Sequence, residues 1–355
     1  MNILTDFTKD VQTQKPKPGS YEWWYFDAQS SDGYSIVVIF YEGNPFSKRY
    51  IKGISSGKEN LAVFYPAISI SLYKEGHPIF YTFEEFTPDE CNFSAEEPLG
   101  NAGNNSFTGE KIGEQLQYQI NLDHKLENGD SISGLLRFTS TDLKFSLLDS
   151  SSETSSAHIW NLVMPSANVH GKLRLGGTTS ETIHFKGTGY HDHNFGTEPM
   201  KDTFDEWYWG RYHLGESTLV YYLMRIENRW EKKAWLLKDT GETEKFSSEY
   251  IEFSAQQTSL FGLSSSRIIT FSRNNFKAHL QLDRLIDNGP FYQRFEGRMM
   301  AVIGEKTVQS RGISEYIKPD RIYKKLFWPL VDMRIKYPGK AHWVQKSSRL
   351  YKWTW

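Results

Sequence analysis

Short apolar stretches that alternate faces with a period of two run through most of this chain, and they limit the fold more than any other feature. The apolar segment 34–41 directly follows Asp32-Gly33, which is a hairpin turn signal. Asn128-Gly129 and Asn288-Gly289 mark two further tight turns. Because successive side chains of a strand point to opposite faces, such segments form sheets, and long helical periodicity is scarce. The sequence therefore predicts an all-β fold.

The predicted strands are separated by stretches rich in Gly, Asn and Asp. They cover residues 34–41, 67–73, 115–122, 131–139, 158–163, 168–175, 182–187, 206–213, 217–226, 233–237, 268–272, 277–282, 291–303 and 308–316. A single short turn or helix is predicted at residues 327–335.

Bulk composition sets the broad class of protein. The 355 residues suffice for one large or two ordinary domains, and aromatic residues form 15% of the chain. Aromatic side chains fit pleated surfaces and can line an apolar cavity, although an aromatic β core alone would also use them. A net charge of -2 gives no general attraction to nucleic acid or to an anionic membrane.

The cysteine content and the N-terminal segment indicate the cellular compartment of the protein. Cys91 is the only cysteine, which excludes an intrachain disulfide and a zinc site built on several thiolates. Residues 1–7 lack a basic start followed by an apolar run, and no apolar stretch approaches the roughly 20 residues that span a bilayer. We expect a soluble, cytoplasmic protein whose oligomeric state the sequence leaves open.

A repeated sequence motif predicts how the strands are divided between two domains. Glu22-Trp23-Trp24-Tyr25-Phe26 and Glu206-Trp207-Tyr208-Trp209-Gly210 each lead through a turn into an apolar strand. Coincidence between two aromatic hairpins is the alternative to a duplication. We predict two related β-barrel domains, residues 1–196 and 197–355, each opening with this hairpin. Nearly closed barrels would protect the strand edges, and an apolar cavity is expected near their junction.

The segment 187–196 reads Gly-Thr-Gly-Tyr-His-Asp-His-Asn-Phe-Gly and carries the densest set of polar groups. On a strand, Tyr190 and Asp192 point to one face, while His191 and His193 point to the other. A phenol beside a carboxyl among aromatic residues would make a proton-donating site. The alternative is a polar strand end that caps neighbouring loops.

A second pair, His158 and Trp160, shares a strand face in the same way. If both faces line one cavity, the carboxyl of Asp192 can stay a neutral proton donor, because an apolar pocket disfavours its charged form. Imidazole can orient or deprotonate water, and the rings of Trp160 and Tyr190 can stabilise a carbocation. A hydrogen-bonded core histidine, a core Trp, and an Asp192 that pairs with Arg211 are the structural alternatives.

Metal binding is the other use that the His-Asp-His pattern suggests. His191 and His193 would need a distant third ligand such as His170, His184 or His213 to hold zinc or iron. No second cluster with diagnostic spacing accompanies them, so the sequence predicts no metal site. Neither a dinucleotide fingerprint nor a Gly-x-Ser-x-Gly elbow is present.

At these residues the chain resembles the carotenoid 1,2-hydratase-like family, which more distantly includes fungal Diels–Alderases that form decalin rings. The resemblance covers residues 20–320 and rests on four motifs: Glu22-Trp23-Trp24-Tyr25-Phe26-Asp27, His158-x-Trp160, Tyr190-x-Asp192 with Asn194 and Gly196, and Trp207-x-Trp209-Gly210-Arg211. It implies two lipocalin-like β domains and an elongated apolar cavity.

The resemblance also implies residue roles. Asp192 would protonate an isolated double bond, Trp160 and Tyr190 would stabilise the tertiary cation, and His158 would help to deliver water, without a cofactor. Residues expected to bind the hydrophobic substrate are Trp24, His191, His193, Asn194, Trp207, Trp209 and Arg211.

This chain departs from the carotenoid hydratases in having His on both sides of Asp192, which leaves other outcomes open. The cation could be captured internally in a cyclase, a folded polyene could undergo cycloaddition in a pericyclase, or the protein could be a non-catalytic carrier.

The C-terminal region mixes basic and aromatic residues. We expect it to pack as an arm on the second domain, with peripheral membrane contact as the alternative.

Overall fold

The structure is a computed structural model, and it describes residues 1–57, 61–147 and 157–355. Strands dominate these residues, so the all-β prediction is confirmed. The strands are β1 Asn2–Leu4, β2 Tyr21–Ser30, β3 Tyr34–Glu42, β4 Ala67–Lys74, β5 His77–Glu85, β6 Cys91–Phe93, β7 Leu99–Ala102, β8 Asn105–Ile112, β9 Gln115–Lys125, β10 Ser131–Thr141, β11 His158–Gly176, β12 Glu181–Gly196, β13 Glu206–His213, β14 Ser217–Ile226, β15 Arg229–Lys238, β16 Thr243–Phe246, β17 Ile251–Thr258, β18 Ser264–Arg273, β19 Phe276–Asn288, β20 Tyr292–Ile303, β21 Lys306–Ile317 and β22 Ile335–Lys336. The α-helices are α1 Lys48–Ser55, α2 Met200–Thr203, α3 Trp328–Arg334 and α4 Ser348–Lys352.

The chain divides into two compact units, each built on one curled sheet of lipocalin-like, half-barrel form. Among the described residues, the first unit contains 1–142, 157–200 and 325–355, and the second contains 143–147 and 201–324. The predicted pair of lipocalin-like β folds is confirmed.

The sheet of the first unit has the strand order β22-β5-β4-β3-β2-β12-β11-β10-β9-β8-β7-β6, with β1 beside β11. The pairs are antiparallel except β1 with β11 and β22 with β5, which are parallel. Phe26 of β2 lies at the centre of the aromatic core, with Phe40, Phe107, Tyr118 and Phe138 around it.

The sheet of the second unit has the strand order β16-β15-β14-β13-β21-β20-β19-β18-β17. Its core is also rich in aromatic residues, and it contains Tyr208, Tyr221, Phe271 and Tyr316. Burial of these large rings supplies much of the hydrophobic stabilisation of such a unit.

The predicted hairpins open both sheets in the same manner. β2 pairs with β3, and β13 pairs with β14, each across a tight turn. The first strand of each hairpin also pairs with a later strand of its own unit, β2 with β12 and β13 with β21. The repeated Glu-Trp motif therefore lies at equivalent places in two similar sheets.

Three local predictions need correction. Residues 158–163 and 168–175 form one bulged strand, and the strand predicted at 182–187 continues to Gly196. The C-terminal arm belongs to the first unit, not to the second domain, because Ile335–Lys336 pairs with Phe83 and Glu84 at the edge of the first sheet. Strands 77–85 and 105–112 were missed, because they lack a strong apolar alternation.

No helix in the described ranges is both long and apolar enough to cross a membrane.

Candidate active site

The candidate site is centred on β12, where the period-two geometry separates two sets of polar side chains. Tyr190, Asp192 and Asn194 have even numbers and share one face of the strand, as their mutual hydrogen bonds show. All three are buried, and Asp192 is only 4% exposed. The predicted division of this segment between two faces is what the structure shows.

The carboxyl group of Asp192 accepts hydrogen bonds from three neutral donors of the first unit. The indole Nε1 of Trp160 lies 2.8 Å from Oδ2, and the phenol of Tyr190 lies 2.7 Å from the same oxygen. The side-chain amide of Asn194 donates to Oδ1 at 2.8 Å. Such donors hold the carboxyl in one rotamer.

Trp160 reaches Asp192 because of the register between β11 and β12. Trp160 lies directly opposite Asn194, and Leu162 lies opposite Asp192, so the indole contacts the carboxyl diagonally. Tyr190 meets Tyr25 of β2 edge to face, with ring centroids 6.1 Å apart. The predicted catalytic residues Trp160, Tyr190 and Asp192 are therefore brought together.

His158, the fourth predicted catalytic residue, lies next to this cluster, close to Asn194. Its Nδ1 lies 2.9 Å from the hydroxyl of Tyr21. Complete burial lowers the pKa of His158 from 6.5 to about 3, although the nearby side chain of Asn194 acts in the opposite direction. The ring is therefore neutral at physiological pH.

Gly196 allows Tyr21 to approach His158. Tyr21 and His158 both lie opposite Gly196 on the neighbouring strands. A Cβ atom at position 196 would lie 2.4 Å from the ring of Tyr21, which is closer than van der Waals contact permits. The small residue that ends β12 is thus required for the contact between phenol and imidazole.

The other face of β12 points into the aromatic core of the first unit. His191 stacks on Phe26 with ring centroids 3.9 Å apart, and His193 stacks on Trp24 at 4.6 Å. Trp24 also stacks on Phe93 at 4.8 Å. The structure therefore does not bring Trp24, His191 and His193 to Asp192, and their predicted role in substrate binding has no support from this geometry.

Buried carboxylates hold the two histidines. Nε2 of His191 lies 2.9 Å from Oδ2 of Asp10, and Nε2 of His193 lies 2.8 Å from Oε1 of Glu22. Lys15 forms an ion pair with Glu22, and all five of these side chains are at most 5% exposed. A buried network of this kind, in which charges are paired and hydrogen-bonded, fixes the N-terminal segment to the core.

The remaining predicted residues, Trp207, Trp209 and Arg211, lie on β13 of the second unit. They alternate with Tyr208 and Tyr212, which belong to the core of that unit. Their contribution to substrate binding stays a prediction. No group of three or more His, Cys, Asp or Glu side chains in the described parts of the chain is arranged to hold a metal ion.

Sequence reasoning missed Tyr21, Tyr25 and Asp10. Tyr25 lies within the first aromatic motif and Tyr21 directly precedes it, and the alternation of a strand could have placed both on one face. Tyr25 contacts Tyr190, and Tyr21 contacts His158. Asp10 had no local signal, since its partner His191 is 181 residues away along the chain.

The model of the family Carotenoid hydratase CrtC matches residues 112–346, which is more than half of the chain. The chain is 29% identical to hydroxyneurosporene dehydrogenase of Chlorobaculum tepidum, over 96% of this chain and 93% of that protein. It is 26% identical to the acyclic carotenoid 1,2-hydratase of Rubrivivax gelatinosus, over 66% of this chain and 55% of that protein.

Among solved structures, an AttH protein of Nitrosomonas europaea has the same fold. The TM-score is 0.62 at 14% identity, with 89% of this chain and 97% of that chain covered. The fold agrees with the resemblance that the motifs predicted, and the family match covers the strands that carry His158, Trp160, Tyr190 and Asp192. The protein belongs to the carotenoid hydratase CrtC family.

Proposed function

We propose that the protein adds water to an isolated carbon–carbon double bond of an acyclic, carotenoid-like polyene, with Asp192 as the acid. One observation carries this proposal: a buried carboxyl that Trp160, Tyr190 and Asn194 hold in a single position. Membership of a carotenoid hydratase family supports the choice of reaction and of substrate class.

In the first step, the protonated carboxyl of Asp192 donates its proton to the less substituted carbon of the double bond. The two π electrons form the new C–H bond, and the other carbon becomes a tertiary cation. The rings of Trp160 and Tyr190 lie against the carboxyl and supply electron-rich faces that stabilise positive charge. Their burial keeps bulk water away from the cation.

In the second step, a water molecule attacks the cation through an oxygen lone pair and forms the C–O bond. The carboxylate of Asp192 accepts the proton that this water loses, which restores the acid for the next turnover. The Trp160 and Tyr190 donors stabilise the carboxylate between the two steps, because hydrogen bonds to an ionised acceptor are stronger than those to a neutral one.

His158 acts in this scheme as a positioning residue. A ring whose pKa is about 3 is a weak base, so it is poorly suited to take a proton from water. Its ring instead lies beside the Asn194 amide that donates to Oδ1 of Asp192 and helps to keep that amide in place. Tyr21 fixes the ring at the other end of this chain of contacts.

The proposal is tested with an acyclic carotenoid solubilised in detergent and incubated with the purified protein. The expected result is a product heavier than the substrate by the mass of one water molecule, formed by wild-type protein and not by Asp192→Asn. An isomeric product of unchanged mass would indicate a cyclase or a pericyclase instead. A carotenoid that is retained tightly but recovered unchanged would indicate a carrier.

A further inference from the structure

The C-terminal arm of the first unit, residues 325–355, exposes a surface that the proposed reaction does not use. We call it the arm patch, and it consists of Lys325, Leu326, Lys340, Trp343, Lys346, Arg349, Leu350 and Trp353, all exposed. Leu326 is 82% exposed, Trp343 64% and Trp353 80%, which is unusual for side chains of this size. Several large apolar side chains exposed within one short segment indicate an interaction site.

The charge of the arm is opposite to that of the rest of the chain. Residues 325–355 contain five Lys and two Arg but a single acidic residue, Asp332, so their net charge is +6. The whole chain has a net charge of -2, and the remaining residues are therefore strongly acidic. Positive charge is concentrated on this one segment.

The spacing of the patch residues places bases beside apolar side chains. Trp343 and Lys346 are three residues apart in a 3₁₀ helix, whose period of three puts them on one face. Arg349 and Leu350 of α4 precede Trp353, which has a helical backbone conformation, by four and three residues. Residues at these spacings are neighbours on a helix surface.

The arm is held in place by residues other than those of the patch. Ile335 pairs with β5, the hydroxyl of buried Tyr351 donates to the carbonyl of Arg334, and Lys336 forms ion pairs with Glu84 and Glu127. By contrast, Lys325, Lys340, Lys346 and Arg349 form no ion pair with acidic side chains in the part of the chain that the structure describes. Their charges remain available to a partner.

We propose that the arm patch docks the protein onto an anionic lipid surface. Lys and Arg are attracted to anionic headgroups, and each such residue near the surface adds to binding. Trp is favoured at the boundary between headgroups and acyl chains, where its ring is apolar and its N–H can be hydrated. Exposed Leu326 and Leu350 suit acyl chains and have no use in binding nucleic acid phosphates, so the lipid surface fits better than nucleic acid.

This inference goes beyond the proposed reaction and does not depend on it. A protein that takes up a lipid-soluble polyene would gain access to it at a membrane surface, but a carrier or a pericyclase for apolar ligands would gain equally. Binding to lipid is measured without any substrate, so its failure and the failure of the proposed hydration are distinguishable.

The test is co-sedimentation of the full-length protein with vesicles of phosphatidylcholine alone or of phosphatidylcholine with phosphatidylglycerol. We expect binding to the anionic vesicles that weakens as salt is raised, and little binding to the neutral ones. The triple change Lys340→Gln, Lys346→Gln and Arg349→Gln should lower the partition coefficient by about 100-fold, since each base contributes about fivefold. The double change Trp343→Ser and Trp353→Ser should weaken binding even at low salt.

Matched controls come from other exposed side chains. Lys125→Gln with Lys277→Gln and Lys306→Gln removes the same charge elsewhere, and Leu260→Ser with Tyr250→Ser removes exposed apolar surface from the second unit. Both control variants should bind vesicles as the wild type does. Equal loss in the arm and control variants would overturn the proposal. So would an absence of binding to anionic vesicles, or tighter binding to double-stranded DNA than to lipid at the same salt.

Discussion

The two units place a carboxyl group at the same point of two similar sheets. Tyr25 and Trp209 each follow the glutamate of the repeated motif by three residues, at Glu22 and Glu206. Tyr25 lies opposite Asp192 on β12, and Trp209 lies opposite Glu315 on β21. Asp192 and Glu315 are therefore counterparts in the duplicated architecture.

The surroundings of these two carboxyls differ. Asp192 accepts hydrogen bonds from the neutral side chains of Trp160, Tyr190 and Asn194, whereas Glu315 pairs with the guanidinium of Arg294 at 2.9 Å. Arg294 lies directly opposite Glu315, where the first unit has Leu162 opposite Asp192. The second unit therefore places a charged partner beside its carboxyl, at a position where the first unit has an apolar side chain.

The core-facing acids, in contrast, are alike in the two units. Glu22 bonds to His193 and pairs with Lys15, and Glu206 bonds to Tyr316 and pairs with Arg225. The bonds to His193 and Tyr316 tie the first hairpin strand to its neighbouring strand, and Lys15 ties the N-terminal segment to it. The units therefore share architectural contacts at these acids and differ around Asp192 and Glu315.

The largest expected effect is a loss of turnover when the carboxyl of Asp192 is replaced. Asp192→Asn retains the shape and the hydrogen-bond acceptor of the side chain but removes the acid, so turnover should fall by about 100- to 10,000-fold. The rate of product formation is measured by chromatography at saturating substrate, and circular dichroism verifies the fold. A variant that retains most of its activity would exclude Asp192 as the proton donor.

The next effect concerns stability. Glu315→Gln removes the carboxylate that pairs with the buried guanidinium of Arg294 and should lower the free energy of unfolding by about 3–5 kcal/mol. Urea denaturation measures the change, and turnover per folded molecule should remain within a few-fold of wild type. If Glu315→Gln abolished turnover as Asp192→Asn does, the division of roles between the units would be wrong.

A smaller effect on kcat is expected when the side chains that donate hydrogen bonds to Asp192 are replaced. Trp160→Phe and Tyr190→Phe each remove one hydrogen bond to Asp192 and should lower kcat by about tenfold, because a bond to a charged group contributes about 1.5–3 kcal/mol. Tyr292 lies near Glu315, at the strand position that corresponds to Trp160. Tyr292→Phe is therefore the matched control, and its kcat should be unchanged.

The smallest effect is on the pH dependence of stability. Burial lowers the pKa of His158 from 6.5 to about 3 and that of His213, in the second unit, well below 6.5. Between pH 6.5 and 3 the unfolded chain binds protons that the folded chain does not, so the free energy of unfolding falls as the pH is lowered. His158→Gln and His213→Gln should each flatten this slope, by at most about 1.4 kcal/mol per pH unit. A slope that neither variant alters would contradict the buried, neutral state of these rings.

The strand period predicted the site better than it predicted its surroundings. Alternation alone assigned Tyr190 and Asp192 to one face and His191 and His193 to the other, and the structure has this arrangement. The pattern could not say which face the aromatic core covers, and the structure places the rings of Trp24, His191 and His193 on that face. That choice depends on tertiary packing and not on local periodicity.

Contacts between residues that are distant along the chain could not be predicted from the sequence either. The partners Asp10 and His191 are 181 residues apart, and the arm that ends the chain returns to β5 of the first sheet. Neither contact has a local signature, because a salt bridge and a two-residue parallel pairing need only a few residues at each end. The duplicated hairpin, by contrast, repeats four consecutive positions, Glu-Trp followed by two aromatic residues, and could be recognised directly.

The most direct test of the central claim, that Asp192 protonates a double bond, is turnover of an acyclic carotenoid in heavy water. The carboxyl of Asp192 exchanges with solvent, so each product molecule should carry one deuterium bound to carbon beside the new hydroxyl-bearing carbon. Mass spectrometry and NMR would locate it. A product formed in heavy water without deuterium on carbon would contradict the account, because no proton from the carboxyl would then have reached the double bond.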